Sequence, residues 1–259
     1  MSDVAVIGGT GFLGRAITER LDADTVGRSN SADVQANILL HEELGALKQY
    51  ETVVNCVGLS PLREPDVPYQ AVHAHGVKNI LHVLDNDQRL VHISAVGADP
   101  DLNIAYLRTK GVGERIIRED PGEHCIIRPD VLYDAESEAW RERVLEPLLF
   151  GVMPDVKKKS NPVHRGDVAS AVEHVVKNRL TGTLEVYGDE TVTVTDMVRR
   201  LKPRVFAIPE PIWYPFFFLA CEGRLFGLSR GQRLLYNHDV VLGDRPDWFE
   251  PRGLPSETS

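Results

Sequence analysis

Apolar residues come in short runs through the first half of the chain, and most runs are followed by a stretch whose apolar positions fall three to four residues apart. Runs of roughly 4–8 residues read as buried strands, and the wider spacing reads as one face of a helix. The pattern predicts strands over 3–7, 24–27, 33–36, 51–57, 89–94 and 124–127, and helices centred on 12–21, 41–48, 69–84 and 107–118. In the first helix, Leu13, Ile17 and Leu21, with Ala16, line one face. Alternation of this kind predicts the α/β class, a doubly wound parallel sheet with crossover helices. After Arg128-Pro129 the alternation loosens, prolines become frequent and tryptophan appears. The expected division is a sheet-forming domain over 1–128 and a smaller lobe over 129–259, of which about 162–190 returns to the sheet.

The sharpest break in the pattern is the earliest. Val4-Ala5-Val6-Ile7 runs into Gly8-Gly9-Thr10-Gly11-Phe12-Leu13-Gly14, and a helix starts at once. Glycines at 8, 11 and 14 let the backbone turn sharply, let a pyrophosphate approach the peptide and let the helix pack closely on its strand. The helix then offers free N–H groups and its positive end to the phosphates. Gly8, Thr10, Gly11, Phe12, Leu13 and Gly14 are therefore the candidate cradle of a dinucleotide, the alternative being a merely tight strand–helix turn.

The second strand is where such a site reads the adenosine ribose, with an acid for NAD and arginine for the 2′-phosphate of NADP. Here the segment is Thr25-Val26-Gly27-Arg28-Ser29-Asn30, and the one nearby acid, Asp24, comes at the strand's start, where it should point elsewhere. Arg28 is placed to meet a phosphate, with a plain surface charge as the alternative. NADP(H) is thus expected over NAD(H). Asn37, after the third strand, either bonds adenine through its amide or caps a turn.

Composition narrows the function classes. A net charge of −9 on 259 residues argues against a general nucleic-acid binder. Cys56, Cys125 and Cys221 are too far apart for a metal or redox pair, and nine scattered histidines show no paired-ligand spacing. No apolar stretch reaches the ~20 residues of a membrane span. With the first strand starting at residue 4, a cytoplasmic protein is expected, with peripheral membrane contact left open. The polar tail from Pro246 is expected to be partly mobile.

These residues resemble the extended or atypical branch of the short-chain dehydrogenase/reductase superfamily. Besides Gly8-x-x-Gly11-x-x-Gly14, Val54-Asn55-Cys56-Val57-Gly58 is similar to the Asn-x-x-Gly segment ending that family's fourth strand. Ile127-Arg128-Pro129-Asp130-Val131-Leu132-Tyr133 resembles its Arg-Pro segment, and Pro162-Val163-His164-Arg165-Gly166-Asp167-Val168-Ala169 resembles the segment returning from the substrate lobe. His92 to Asp99 with Tyr106-Leu107-Arg108-Thr109-Lys110 is similar to the group around the nucleotide-binding accessory subunit of respiratory complex I. So is the stretch from Leu228-Ser229-Arg230 through Asp239-Val240-Val241 to Gly253-Leu254-Pro255. The resemblance implies a Rossmann fold and adds Val57, Gly58 and Lys110 to the expected cofactor contacts.

It also implies a chemistry. Tyr106 and Lys110 have Tyr-x-x-x-Lys spacing, which puts both on one helix face. An ammonium beside a phenol lowers its pKa from ~10, so that Tyr106 could exchange a proton with a carbonyl or alcohol while nicotinamide exchanges hydride. The expected catalytic set is Tyr106, Lys110 and Ser94, with Ser94 orienting the substrate oxygen. In many relatives a second hydroxyl follows, and this chain has Ala95 there, so either Ser94 supplies the hydroxyl or the site lacks one. His73 and His75 read as structural, and His164 as a packing residue with a pocket role as the alternative.

Two functions follow. The first is an NADPH-preferring oxidoreductase acting on a small-molecule carbonyl or alcohol, apolar or quinone-like. The second is an NADPH-binding accessory, assembly or sensor protein with little turnover, associated with a membrane respiratory complex. Ile208-Pro209-Glu210-Pro211-Ile212-Trp213-Tyr214-Pro215-Phe216-Phe217-Phe218-Leu219-Ala220 is either a lobe core or pocket wall, a docking surface for a membrane or hydrophobic subunit, or a disordered segment. Substrate, partner and oligomeric state stay open at this level.

Overall fold

The computed structural model describes residues 2–60, 67–137, 152–202, 204–209, 211–212, 235, 238, 240 and 242–255. Strands β1 (Val4–Ile7), β2 (Asp24–Gly27), β3 (Val34–Gln35), β4 (Thr52–Asn55), β5 (Arg89–Ile93), β6 (Cys125–Pro129) and β11 (Gly182–Val186) form one sheet. Its order is β11-β6-β5-β4-β1-β2-β3, and every pairing is parallel. The order reverses between β1 and β4. Crevices outside the carboxyl ends of strands at such a reversal are where open α/β sheets take ligands.

Parallel strands buried on both faces need helices on both faces. One face carries α1 (Phe12–Leu21) and α4 (Arg165–Lys177), closing a core that includes Val6, Ile17, Val54, Val91, Ile127 and Val172. The other carries a 3₁₀ helix (His41–Gln49), α2 (Gly76–Val83) and α3 (Ala105–Glu119) over Ile7, Val53, Leu90 and Ile126. The predicted helix over 69–84 begins with a π-turn, Ala71–His75, ahead of α2. Strand β4 stops at Asn55, two residues short of expectation, because the Asn55 side chain turns to the next loop and accepts from Val57 N–H at 3.0 Å.

Buried Arg89, at the start of β5, reaches across to the far end of α4. One Nη donates to Val175 O at 3.2 Å and the other to Leu180 O. A guanidinium there adds a second donor to Val175 O, which also accepts from Leu180 N–H at 3.1 Å, and complements the helix dipole.

Beyond β6 come β7 (Leu132–Tyr133), β8 (Val152–Pro154), β9 (Lys159–Ser160), β10 (Val163–His164), β12 (Val192–Thr193), α5 (Val194–Leu201) and β13 (Phe206–Ile208). They build three two-stranded pieces, β10-β7, β12-β9 and β13-β8. Tyr133, Met153, Val192, Met197, Val198 and Val205 form their core, and Phe12 of the glycine loop packs against it.

The tail differs from expectation in its described part. Trp248 stacks on His174 with ring centroids 4.0 Å apart, and Phe249 is 4% exposed in the main core. Arg252 pairs with Asp167 at 2.8 Å, and Tyr133 OH donates to Gly253 O at 3.1 Å. The prolines that suggested mobility sit between anchors that the sequence pattern does not reveal. Among the described residues no helix is long and apolar enough to cross a membrane. Of the apolar stretch, Ile212 is 58% exposed, as is Phe206 just before it at 74%. Glu210 and residues 213–220, like Cys221, lie outside the described residues.

Candidate functional site

The glycine loop lies at the sheet reversal, and its three glycines are used differently. Gly8 takes φ of +78°, a left-handed conformation that only glycine adopts freely, and its N–H donates to Val26 O at 2.7 Å. Gly14 sits where a Cβ would be 2.1 Å from Gly8 O, so α1 is pressed against the loop backbone. Gly11 is the N-cap of α1, with no side-chain cap and no acid in the first turn. Among the described residues, the N–H groups of Phe12, Leu13 and Gly14 have no backbone or side-chain acceptor. An uncapped, acid-free helix start with a glycine edge fits a pyrophosphate.

The neighbours of the loop come from both halves of the sheet. Val57 lies 3.1 Å from where a Gly8 Cβ would be, and a Cβ on Gly58 would lie 3.2 Å from Lys110 Nζ. Residues 57–58 thus bridge the loop and α3. From the lobe side, Arg165 donates to Phe12 O at 3.0 Å, lies 5.0 Å over the Phe12 ring and pairs with Asp134. That puts a cation beside the cradle, in a segment the sequence marked as packing with a pocket role for His164 as the alternative. His164 accepts from Gly166 N–H at 3.0 Å, capping α4, and stacks edge-on to Tyr133.

At the adenosine end, Arg28 is exposed just past β2 and makes no ion pair among the described residues. Asp24 accepts from Tyr50 OH at 3.0 Å and so points elsewhere, as its place in the strand suggested. Asn37 uses its side-chain oxygen for a local turn, accepting from Leu39 N–H at 3.1 Å. That is its turn-capping role, and its amide nitrogen is left over.

Helix α3 carries Tyr106, Lys110 and Glu114 on one face. Lys110 is 5% exposed and donates to Ile93 O at 2.8 Å. Burial pulls its amine down to about 8, against the opposing charges of Glu114 and Cys56. Tyr106 is half-buried in a ring cluster, edge-on to Tyr69 at 5.8 Å and to His73 at 5.6 Å. Burial, and secondarily Tyr69, push its phenol up to about 12. This departs from the expectation of a phenol lowered by its lysine. Packing outweighs charge here because the amine is directed to the Ile93 carbonyl.

Ser94 departs too. Its hydroxyl donates to Glu114 Oε1 at 2.5 Å, in the interior. Glu114 is fully buried and also takes Arg128 through Nε at 2.8 Å and Nη2 at 2.6 Å, with Arg118 at 2.5 Å. The proton that was to orient a substrate is committed to a carboxylate, and Ala95 offers none. Glu114 was not singled out from the sequence. The available signal was its place one further turn along the Tyr106–Lys110 face, opposite an arginine at a strand end.

His73 joins the site as a spacer. Leu59 N–H donates to Nε2 at 3.0 Å, which leaves Nδ1 to donate to Thr109 Oγ1 at 3.0 Å, and Thr109 donates to Ala105 O at 2.8 Å. Burial, with Lys110 next, holds the ring neutral, its pKa down to about 2. His92 accepts from Asn55 at 3.1 Å, and burial keeps it neutral as well. No group of side chains suited to a metal ion occurs among the described residues.

Lys110 also gives a stability test. Its proton stays on to 10.5 in an exposed chain but only to about 8 when folded. Between those values the unfolded state binds more protons, so stability rises with pH across that window, while below it the buried charge is a standing cost. Unfolding free energies from denaturant curves between pH 7.5 and 10 are expected to climb relative to Lys110→Met by on the order of 2 kcal/mol. Parallel curves for the two proteins would contradict the burial of a charged amine.

Comparison with known proteins places this geometry. No known family profile matches the chain. It is 26% identical to the mitochondrial NADH-ubiquinone oxidoreductase 40 kDa subunit of Neurospora crassa, over 96% of this chain and 74% of that protein. It is 29% identical to subunit 9 of the NADH dehydrogenase [ubiquinone] 1 alpha subcomplex of Rattus norvegicus, over 55% of this chain but only 39% of that protein. The chain thus matches well under half the length of this second relative. Among solved structures, the terminal R domain of the myxalamid biosynthetic pathway superposes with a TM-score of 0.71 at 17% identity, over 97% of this chain and 87% of that one. The dTDP-4-dehydrorhamnose reductase of Bacillus anthracis, solved with NADP, gives 0.63 at 16% identity over 81% and 84%. The UDP-glucose 4-epimerase of Thermus thermophilus, solved with NAD, gives 0.63 at 19% over 80% and 86%.

Proposed function

With a reductase-type fold and a respiratory-complex subunit as relative for the premise, we propose that this chain holds NADP(H) and serves as an accessory protein of a membrane respiratory complex, with little turnover. Gly8, Gly11 and the first turn of α1 would receive the pyrophosphate, Arg28 the 2′-phosphate, Val57 and Gly58 the near wall, and Lys110 the ribose beside the reactive ring. A bound nicotinamide dinucleotide would supply hydride. The observation that carries the low-turnover reading is the proton inventory around Tyr106. Ser94 gives its proton to Glu114, Ala95 has none, and Lys110 donates to a backbone carbonyl. An electrophilic hydrogen bond to the reacting oxygen, beside that of the Tyr106 phenol, is worth a few kcal/mol at a transition state, and neither Ser94 nor Ala95 is placed to make it.

The second reading, an NADP(H)-dependent reductase of an apolar carbonyl or quinone, is favoured by Tyr106 and Lys110 sharing one face of α3. Protein saturated with NADPH and offered a panel of carbonyl and quinone compounds separates the two. The accessory reading expects oxidation no faster than in free NADPH. Rapid oxidation that disappears in Tyr106→Phe would instead establish the reductase.

Cofactor choice has its own test. Arg28→Ala is expected to weaken NADPH binding about ten- to a hundred-fold, the worth of a charge-assisted bond of roughly 1.5–3 kcal/mol, and to leave NADH binding nearly unchanged. Equal losses for both, by fluorescence titration, would refute the phosphate role.

A further inference from the structure

The register of two short strands sets a charged pair against the glycine loop. β10 lies parallel to β7 with His164 opposite Tyr133, so the next residue along each chain, Arg165 and Asp134, come side by side. Asp134 is 3% exposed and accepts from the N–H groups of Glu136 at 3.0 Å and Ser137 at 3.1 Å, which fix its carboxylate. That carboxylate takes Nε of Arg165. The guanidinium is thereby carried across to α1, where Nη1 donates to Phe12 O at 3.0 Å and the guanidinium carbon stands 5.0 Å over the Phe12 ring. Phe12 in turn packs against the lobe core. Three contacts order this side chain before any ligand arrives, which lowers the ordering cost of binding.

The fork is not spent. Nε and Nη1 are used, while Nη2 has no acceptor among the described residues, and the side chain is 24% exposed. The residue it grips is also one whose own N–H is free at the start of α1. The N–H and C=O of Phe12 are the two ends of one residue, ~3.8 Å of chain, so the guanidinium stands about that far from a phosphate received there. The charge balance calls for such a group. A pyrophosphate diester is a dianion, a helix start supplies roughly half a positive charge, and residues 8–14 carry none of their own. Asp134 offsets part of the arginine's charge, so what Arg165 brings is chiefly an oriented, charge-assisted donor.

We propose that Arg165 is a ligand of the dinucleotide's pyrophosphate, contributed by the segment that returns from the lobe, and that it slows release of the bound nucleotide. The inference rests on the NADP(H)-holding reading and adds to it the group that retains the cofactor. Pyrophosphate is common to NADPH and NADH, so Arg165 serves both, whereas Arg28 serves NADPH alone.

Fluorescence titration of the full chain with NADPH and with NADH tests this. Arg165→Met is expected to weaken both by the same factor, about tenfold or more, in contrast to Arg28→Ala. The loss is expected to shrink as salt is raised from about 0.02 to 0.5 M, because a charge contact is screened. A loss that stays constant with salt would make Arg165 a tie that only shapes the loop, and would overturn the ligand role. NADH binding within about twofold of the unmodified chain would overturn it as well. Should Arg165→Met not fold, the double variant Arg165→Met with Asp134→Asn removes the stranded carboxylate and is scored by the same criteria. An unmodified chain that takes up neither dinucleotide overturns the cofactor reading and this inference with it, whereas normal uptake with an unaffected Arg165→Met overturns the inference alone.

Discussion

Gly14→Ala is expected to destroy dinucleotide binding and to destabilise the protein by about 3 kcal/mol. The added methyl would lie 2.1 Å from Gly8 O, 2.8 Å from Gly8 C and 2.9 Å from Gly9 Cα. All three are backbone atoms, so no rotamer change relieves the clash and α1 must move off the loop. The same shift carries the N–H groups of Phe12 and Leu13 away from where phosphate oxygens would sit, and affinity for NADPH is expected to fall roughly hundredfold or more. Gly45→Ala is the control. A Cβ there meets nothing within 4 Å, so stability is expected to hold or rise slightly. Urea unfolding and NADPH titration of both variants check the pair. Unchanged binding in folded Gly14→Ala would remove the glycine loop from the site.

Glu114→Leu is expected to cost about 3–5 kcal/mol, although the residue never meets solvent or ligand. It is fully buried and accepts from Ser94, Arg118 and twice from Arg128. Removing it strands a half-buried guanidinium at the end of β6 and a buried hydroxyl at the end of β5. Glu185 and Ala98 O retain part of Arg128, at 3.3 and 3.0 Å, and keep the loss from being larger. Arg128→Leu alone should cost a similar amount, since it leaves the buried carboxylate with only the Ser94 hydroxyl and the half-exposed Arg118. The double replacement should cost less than the sum of the two, which a double-mutant cycle in urea measures. Additive losses would mean that the pair is not the unit it looks to be.

The first six strands of the sheet and the helices between them were legible because each is set by a local period, whereas β11 and α4 were expected only as a return to the sheet over about 162–190. Burial on both faces writes a continuous apolar run at β1 and shorter apolar cores at β4, β5 and β6, and the crossover helices write a three-to-four spacing. The glycine loop was legible for the same reason, since one glycine turns the chain and another admits the helix within seven residues. The anchors of the tail were not. Trp248 on His174 and Arg252 on Asp167 join residues 74 and 85 positions apart, and no local pattern encodes such pairs. At the site, residue types were readable and their directions were not. Ser94 follows directly on β5, one residue past its observed end, but where its hydroxyl points depends on Glu114, twenty residues away. Tyr106 and Lys110 share a helix face as their spacing required. Whether the amine then tunes the phenol depends on the Ile93 carbonyl and on the rings of Tyr69 and His73, which come from other elements. Arg165 arrives at the glycine loop from 153 residues downstream.

Native mass spectrometry of the purified full chain, followed by release and identification of whatever nucleotide it carries, tests the central claim most directly. The account predicts one NADP(H) per chain, retained through buffer exchange and absent from Gly14→Ala. A chain that carries no nucleotide, and that takes up neither NADPH nor NADH when they are added in excess, would contradict it.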